Sequence, residues 1–147
     1  MSIGMIDISG KKEVKRIAMA EGKILLGEES LKLAHSNKTP KGTLDELITV
    51  SAVMGVKDAS RVIIHAHPIP IEGVDVSYLV EDDGIRVRVT VKTTAKTGVE
   101  MDALNGVITA LINIFDCYKS VEKDERGNYP FAKIQDVRVV YKEKEPE

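Results

Sequence analysis

Two alternating segments joined by a tight-turn sequence constrain the fold of this chain most strongly. Apolar side chains occupy every second position in both segments, at Val74, Val76 and Tyr78 and then at Ile85, Val87, Val89 and Val91. Alternation with a period of two predicts strands with one apolar and one polar face. Asp82-Asp83-Gly84 separates the two segments, and Asp-Gly is a strong hairpin signal. The sequence therefore predicts an antiparallel hairpin here.

The first half of the chain predicts two extended segments and two helices. Met5–Ser9 and Arg16–Leu26 are extended stretches broken by glycines, and we expect them to form a hairpin. Glu28–His35 fits a short helix. A second helix is expected to run from Thr43 toward Lys57, with Thr43 as the N-cap of a capping box whose glutamate lies three residues later.

The second half adds a long helix at Thr97–Ser120 and a last strand at Ile134–Tyr141. With one N-terminal strand, the order becomes β-α-β-β-α-β, which is typical of a ferredoxin-like sandwich. The predicted fold class is therefore α+β, a ferredoxin-like antiparallel sheet with helices packed on one face. At 147 residues, the chain fits a single domain spanning residues 1–147.

The long helix is expected to be buried on two faces. Its apolar stripe consists of Leu104, Val107, Ile108, Leu111, Phe115 and Tyr118. Small residues flank that stripe on one side, at Gly106, Ala110 and Cys117. A flank of small side chains lets another backbone approach closely. In so short a chain, we expect a second subunit to cover that flank.

Composition and charge exclude several classes of protein. The single cysteine, Cys117, allows no intrachain disulfide and is read as a packing residue. No apolar run approaches the ~20 residues that cross a bilayer, and no apolar signal segment begins the chain. A formal net charge of −2 argues against a nucleic-acid partner. We expect a cytoplasmic protein with neither nucleic-acid nor membrane partners.

Charged residues on the long helix are candidates for catalysis. Asp116 and Lys119 lie three residues apart beside the apolar stripe, which predicts a partly desolvated pair suited to proton transfer. A surface ion pair of little consequence is the alternative. Glu100 and Asp102 fall in the first turn, where they either complement the helix dipole or act on a ligand. Gly98 would allow a ligand to approach closely.

Three further residues are candidates for binding. His65 and His67 alternate on an extended segment and are expected to point the same way. They admit three interpretations: metal ligation, a structural hydrogen bond or contact with a substrate. A metal site needs at least one more ligand, and His35 is the only other histidine. Lys41 precedes a helix and could hold a phosphate together with the helix N-terminus, or it could simply be solvated.

Six segments, in order, resemble the molybdenum cofactor biosynthesis protein C family of cyclic pyranopterin monophosphate synthase accessory proteins. The most specific is Lys96–Leu104, which differs at one position from the family signature Lys-Thr-Gly-Val-Glu-Met-Glu-Ala-Leu. Phe115–Lys119, with the Val-Glu-Lys-Asp that follows, is similar to the family's Tyr-Asp-Met-Cys-Lys-Ala-Val-Asp-Lys-Asp. The other matching segments are Met5–Ser9 with Arg16–Ala20, Lys41-Gly42, Val62–Ile69 and Asp136–Val140.

The resemblance implies an assembly and a reaction. The expected assembly is a homohexamer, a trimer of dimers, with active sites where subunits meet. The implied reaction is that of a lyase, which converts 3′,8-cyclo-7,8-dihydroguanosine 5′-triphosphate to cyclic pyranopterin monophosphate and diphosphate. No cofactor is implied, so the expected partners are this purine-derived triphosphate and other copies of the chain.

The resemblance also implies functional residues. Asp116 falls at the family's catalytic aspartate, Lys119 at its partner lysine and Lys41 at its loop lysine. The family's substrate-binding positions fall on His65, Ala66, His67, Met101 and Asp102, with Glu100 beside them, and its lysine after the last strand falls on Lys142. A triphosphate needs cations, and Arg16 is available as a further one. No residue is expected to bind a metal.

The chain departs from the family pattern at several places. His65 stands where the family has an aliphatic residue, Ala66 replaces a cysteine, and Asp102 is one methylene shorter than the usual glutamate. The loop Asp124–Gln135 is longer than in many relatives. Two other functions stay open on residues and fold alone. One is a metal-dependent hydrolase that uses the histidine pair, and the other is a non-catalytic ferredoxin-like module that binds a metabolite.

Overall fold

A four-stranded antiparallel sheet forms the centre of the computed structural model, which describes residues 3–146. In chain order the elements are β1 (Val14–Leu25), α1 (Glu28–His35), β2 (Lys38–Thr39), β3 (Gly42–Thr43), α2 (Leu44–Val62), β4 (Gly73–Val80), β5 (Gly84–Ala95), α3 (Glu100–Glu122) and β6 (Lys133–Lys144). Met1, Ser2 and Glu147, which the expected domain includes, lie outside the described residues.

The sheet order is β4-β5-β1-β6, and every neighbouring pair is antiparallel. The first strand therefore lies between two strands that come much later in the chain. Together with α2 and α3, this gives the β-α-β-β-α-β topology of a ferredoxin-like α+β fold, and the predicted fold class is confirmed. Helix α1 and the small β2–β3 ladder are inserted between β1 and α2.

One face of the sheet packs against α2 and α3. Its inward positions alternate along the strands and are fully buried at Ala18, Ala20, Ile24, Ile85, Val87, Val89 and Val91. The predicted hairpin between β4 and β5 is confirmed, because the Glu81 N–H donates to the Gly84 carbonyl at 2.8 Å and closes the turn. The strict period of two on β5 thus fixes which face the helices cover.

The opposite face of the sheet is polar and carries paired charges. Arg88 donates to the Glu21 carboxylate at 2.9 Å, and this bond holds the pKa of Glu21 below its usual range. Lys23 lies 2.9 Å from Glu81, on the neighbouring turn. Leu79 is exposed on this face, opposite Arg86 in the strand register.

The N-terminal prediction is wrong in two respects. Met5–Ser9 forms no strand, and β1 runs without a break through Gly22. The first error has a topological cause, since β5 and β6 occupy both edges of β1 and leave no partner for an N-terminal hairpin strand. At Gly22, a Cβ would lie 2.8 Å from Leu111 Cδ1, so the glycine is required for the close packing of α3 on the sheet.

Helix α1 is confirmed with the predicted bounds, whereas the capping box of α2 is wrong. Thr43 does occupy the N-cap position, but its side chain makes no capping hydrogen bond. Instead, the Asn37 side-chain oxygen accepts from the Asp45 N–H at 2.9 Å, and the Asp45 carboxylate accepts from the Glu46 N–H at 2.8 Å. The helix also continues past Lys57 to Val62.

Helix α3 begins three residues later than predicted, and only part of the predicted apolar stripe, at Val107, Leu111 and Tyr118, faces inward. The small-residue flank points inward, toward α2 and the sheet of the same chain. A Cβ at Gly106 would lie 2.8 Å from Val56 Cγ2, and one at Gly55 would lie 2.5 Å from the Asn105 carbonyl oxygen. Close packing within one subunit therefore explains the small residues. Cys117 is buried in this packing, as predicted.

Part of the predicted apolar stripe lies on the outer face of α3. Ile108 and Ile112 are exposed, and Leu104 and Phe115 are only half-buried. Met101 continues the same row toward the start of the helix. This row, Met101, Leu104, Ile108, Ile112 and Phe115, is called the outer stripe below. Helix α3 therefore has two apolar faces, and the single subunit covers one of them.

Among the helices in residues 3–146, none is both long enough and apolar enough to span a bilayer.

The C-terminal end of α3 is hydrogen-bonded to the N-terminal end of α1. The buried carboxylate of Glu122 accepts from the Gly27 N–H at 2.8 Å and from the Ser30 hydroxyl at 2.5 Å. Gly27 is the N-cap residue of α1 and offers no side chain of its own for capping. A carboxylate 95 positions away in sequence thus satisfies an amide that the helix leaves free.

Candidate functional site

Three of the predicted catalytic residues meet at the C-terminal half of α3. Asp116 lies between two ammonium groups, with Lys119 Nζ 3.1 Å from Oδ1 and Lys41 Nζ 3.1 Å from Oδ2. Lys119 is placed by the helix, one turn after the aspartate. Lys41 comes from the turn between β2 and β3, 75 positions away in sequence. We call these three residues the lysine–aspartate cluster.

The turn that carries Lys41 is held by its own hydrogen bonds. The Thr39 hydroxyl accepts from the Lys41 N–H and donates to the Gly42 carbonyl, each at 3.0 Å. Gly42 has a φ of 125°, a conformation that side-chain-bearing residues rarely adopt. The Lys-Gly pair therefore has a backbone role besides the charge it provides. It allows the turn to point the lysine at α3.

The electrostatics of the lysine–aspartate cluster differ from the prediction. All three side chains are about half exposed, at 51% for Asp116, so the predicted partial desolvation is wrong for the single subunit. The hydrogen bond from Lys119, followed by that from Lys41, lowers the pKa of Asp116. The same bond to Asp116 raises the pKa of Lys119. Asp116 and Lys119 are therefore an ionised pair at neutral pH, and Lys41 is a second cation beside them.

Six predicted substrate-binding residues line one cleft at the other end of α3. The cleft has a volume of about 570 Å³ and is lined by His65, Ala66, His67, Glu100, Met101 and Asp102, among others. These residues come from the loop after α2 and from the first turn of α3. Two segments predicted separately from sequence thus form a single cavity.

The two histidines do not lie on one extended strand, because His65 is in a turn and His67 follows it. The Ala66 N–H donates to the Ile63 carbonyl at 3.0 Å, which closes the turn before His67. His67 Nε2 donates to the Ile6 carbonyl at 2.8 Å, so one ring nitrogen is bound to the backbone. In residues 3–146, no three His, Cys, Asp or Glu side chains are grouped closely enough to share a metal ion.

The carboxylates of the cleft have different environments. Burial raises the pKa of Asp102, and the nearby charge of Glu100 raises it further. Glu100 pairs with Lys142, whose Nζ lies 3.3 Å from Oε1. A Cβ at Gly98 would collide with the Glu100 carboxylate, so the glycine makes room for that group. Asp102 is therefore disposed to hold its proton at a higher pH than an ordinary aspartate.

Arg16 borders the cleft without lining it. Its Nε and Nη2 donate to the carbonyls of Ala95 and Lys96 at 3.1 and 3.2 Å. These carbonyls belong to the end of β5 and the residue after it, just before the segment that enters the cleft. In the single subunit, Arg16 thus holds the backbone that leads to α3, and its role toward a triphosphate stays a prediction.

The N-terminal segment was not expected in the site. Ile6, Ile8 and Lys11 line the cleft, and Ile6 also accepts the bond from His67. The segment's place in the family resemblance was a signal, but it was assigned to a strand instead. Lys11 adds a cation that sequence reasoning missed.

The two groups of residues are too far apart to act together within one subunit. Glu100 and Asp116 are 16 positions apart on the same helix, which corresponds to about 24 Å along its axis at 1.5 Å per residue. The lysine–aspartate cluster and the cleft are therefore two separate halves on each chain.

Comparison with known proteins gives matches over nearly the whole chain. A protein-family model described as the MoaC family matches residues 5–145. A probable cyclic pyranopterin monophosphate synthase of Aeropyrum pernix is 49% identical over 141 residues, covering 96% of this chain and 97% of that protein. A protein of the same name from Archaeoglobus fulgidus is 46% identical, with 97% and 91% covered. A probable cyclic pyranopterin monophosphate synthase accessory protein of Methanothermobacter thermautotrophicus is 44% identical, with 97% and 89% covered.

Proposed function

The chain belongs to the MoaC family, and on that premise we propose that it is a cyclic pyranopterin monophosphate synthase of molybdenum cofactor biosynthesis. The relatives of 49% and 46% identity carry the name of that enzyme as probable, and the relative of 44% identity is named as its probable accessory protein. The proposed reaction is the lyase step that converts 3′,8-cyclo-7,8-dihydroguanosine 5′-triphosphate to cyclic pyranopterin monophosphate and diphosphate. The observation that carries the proposal is the pairing of Lys41 and Lys119 with Asp116, at the positions that the resemblance marks as catalytic.

The two halves suit different parts of this chemistry. A triphosphate is bound by cations, and the lysine–aspartate cluster supplies Lys41 and Lys119. Rebuilding a purine-derived ring as a pterin requires proton transfers near neutral pH. Asp116 is held as a carboxylate, whereas Asp102 lies buried in the cleft with a raised pKa. One carboxylate that stays ionised and one disposed to carry a proton are a usual division of labour in acid–base catalysis.

We propose that the complete site forms between two subunits. Suppose that a second copy packs its α3 antiparallel on the outer stripe, with a two-fold axis near Ile108. A residue before Ile108 in one copy then lies opposite the residue that is equally far after Ile108 in the other copy. Glu100 lies eight positions before Ile108 and Asp116 eight positions after it. The cleft of one copy would then face the lysine–aspartate cluster of the other, across the 8–10 Å that separates packed helices. Pairing would also cover the exposed apolar side chains of the outer stripe.

This pairing agrees with the homohexamer expected from the resemblance. A trimer of such dimers would hold six sites, two at each α3 pair. A C2 contact is self-complementary, so the same stripe serves both subunits. We place the assembly in the cytoplasm, where a pathway that uses a guanosine triphosphate derivative has its substrate.

Incubating the purified protein with the cyclised nucleotide and weighing the products by mass spectrometry tests the proposed function. We expect cyclic pyranopterin monophosphate and diphosphate in equal amounts. Recovery of the unchanged nucleotide after stoichiometric binding would support a metabolite-binding module instead. Activity that disappears on chelation and returns with a metal ion would support a hydrolase that uses His65 and His67.

A further inference from the structure

Tyr118 connects the core to the turn that presents Lys41. It lies on α3 between Asp116 and Lys119, but its side chain points the opposite way and is fully buried. Its hydroxyl donates to the Lys38 carbonyl at 2.6 Å. Lys38 is the first residue of β2, at the base of the small ladder whose turn carries Lys41. The bond therefore joins α3 directly to the element that provides the second cation of the cluster.

The β2–β3 ladder is stiffened by its own hydrogen bonds and is tied to α3 by the bond from Tyr118 to Lys38. Lys38 pairs with Thr43 and Thr39 with Gly42, and the Thr39 hydroxyl bonds stiffen the turn. The ladder's residues are otherwise exposed or half exposed. Asn37, just before the ladder, accepts from the Leu44 and Asp45 N–H groups at the start of α2, and the Tyr118 bond adds the link to α3. The contacts form a closed circuit, which runs from α3 through the Tyr118 hydroxyl to Lys38, along the turn to Lys41, and back to α3 at Asp116.

We infer that Tyr118 is a positioning residue, whose hydroxyl holds the β2–β3 turn so that Lys41 reaches Asp116. The role rests on the proposed function for its catalytic consequence, although the geometry of the turn can be tested without substrate. Burial raises the pKa of Tyr118 well above its usual value, so the hydroxyl stays a donor at every pH at which the enzyme would work.

The test is Tyr118→Phe, which removes one oxygen and keeps the ring in the core. Titration of the Asp116 carboxylate by NMR reads the Lys41 contact directly. We expect the pKa of Asp116 to rise toward its ordinary value as the contact with Lys41 loosens. Tyr141→Phe is the matched control, because it removes an exposed hydroxyl that donates to Glu143, and it should leave the titration unchanged.

Turnover gives a second readout. We expect kcat to fall roughly three- to tenfold in Tyr118→Phe, which corresponds to the net contribution of one hydrogen bond. In a Lys41→Ala background the same change should have almost no effect on kcat, because the residue it positions is gone. Thr39→Val, which frees the turn without touching the core, should lower kcat in the same direction.

Three outcomes would contradict either the inferred role of Tyr118 or the proposed function. An unchanged Asp116 titration with normal kcat in Tyr118→Phe would overturn the inference, even if the melting temperature falls. An equal loss of kcat with and without Lys41 would also overturn it, since Tyr118 would then act by another route. Absence of product from the unmodified protein would overturn the proposed function instead, and the titration would still decide the role of Tyr118.

Discussion

The outer stripe of α3 makes the intersubunit site open to a direct test, through the change Ile112→Ala. Ile112 is 55% exposed in the single subunit and lies one turn from Asp116. Full burial of an isoleucine side chain contributes about 1.5–3 kcal/mol, so covering the exposed half contributes about 0.8–1.6 kcal/mol. A two-fold interface contains the residue twice. The change should therefore weaken the dimer by about 1.6–3.2 kcal/mol, which is a 15- to 200-fold rise in its dissociation constant.

Two measurements on the same dilution series check this prediction. Mass photometry from nanomolar to micromolar concentration should show dissociation of Ile112→Ala at higher concentration than for the unmodified protein. Specific activity should fall over the same range and recover when the protein is concentrated, because separated subunits hold only half-sites. Leu79→Ala is the control: Leu79 is 59% exposed but lies on the opposite face of the sheet, so this variant should dissociate and lose activity at the same concentrations as the unmodified protein.

The reasoning would be refuted if Ile112→Ala dissociated and lost activity at the same concentrations as the unmodified protein. A stable monomer with full activity would be stronger evidence against a site between subunits, since it would show that one chain brings Asp116 and the cleft together. Full activity in a dissociated Ile112→Ala subunit would have the same meaning.

Three further predictions concern the site itself. Asp116→Asn should lower single-turnover rates by at least the ~10²-fold typical of losing a general acid or base; Lys119→Ala should be comparable and the double variant little worse, whereas near-normal turnover with a lower melting temperature would mean a structural ion pair. Lys41→Ala should weaken binding of the triphosphate about 10- to 100-fold by calorimetry at low salt, and unchanged affinity would mean a solvated loop residue. Asp102→Asn should raise the melting temperature at pH 7, because a buried carboxyl with a raised pKa favours folding when protonated and opposes it as pH rises through that pKa. Its stabilising effect should shrink as the pH is lowered through that value, and activity should fall.

The sheet and its connections were largely predictable from the sequence. The period of two in β4 and β5, with Asp-Gly between them, identified the central hairpin and its inward face. The short helix α1 was found with its bounds. The predicted N-terminal hairpin is wrong for a reason that is not local, since Met5–Ser9 has the alternation of a strand, and only the occupation of both edges of β1 denies it a partner.

The residues of the candidate site could be predicted from the sequence, but their arrangement in space could not. The first turn of α3 and the His65–His67 loop were both chosen, and they line one cleft. A helical wheel could not tell which apolar face of α3 turns inward, because the answer depends on Gly55 and on the closeness it allows to α2. The contact of Lys41 with Asp116 spans 75 positions, and no local pattern reports a contact of that kind.

The position of the first strand at the centre of the sheet has a consequence for synthesis of the chain. β1 has left the ribosome long before its second neighbour, β6, which ends at Lys144. At the usual 5–20 residues per second, the roughly 120 residues between the two strand ends take about 6–24 s to translate. Until β6 is made, the nascent chain carries β1 with an unpaired edge, and until Glu122 is made, α1 lacks the carboxylate that caps it. Such an edge is a template for pairing with other chains. In the completed sheet β1 has no free edge, so each new copy passes through an exposure of β1 that the finished protein no longer has.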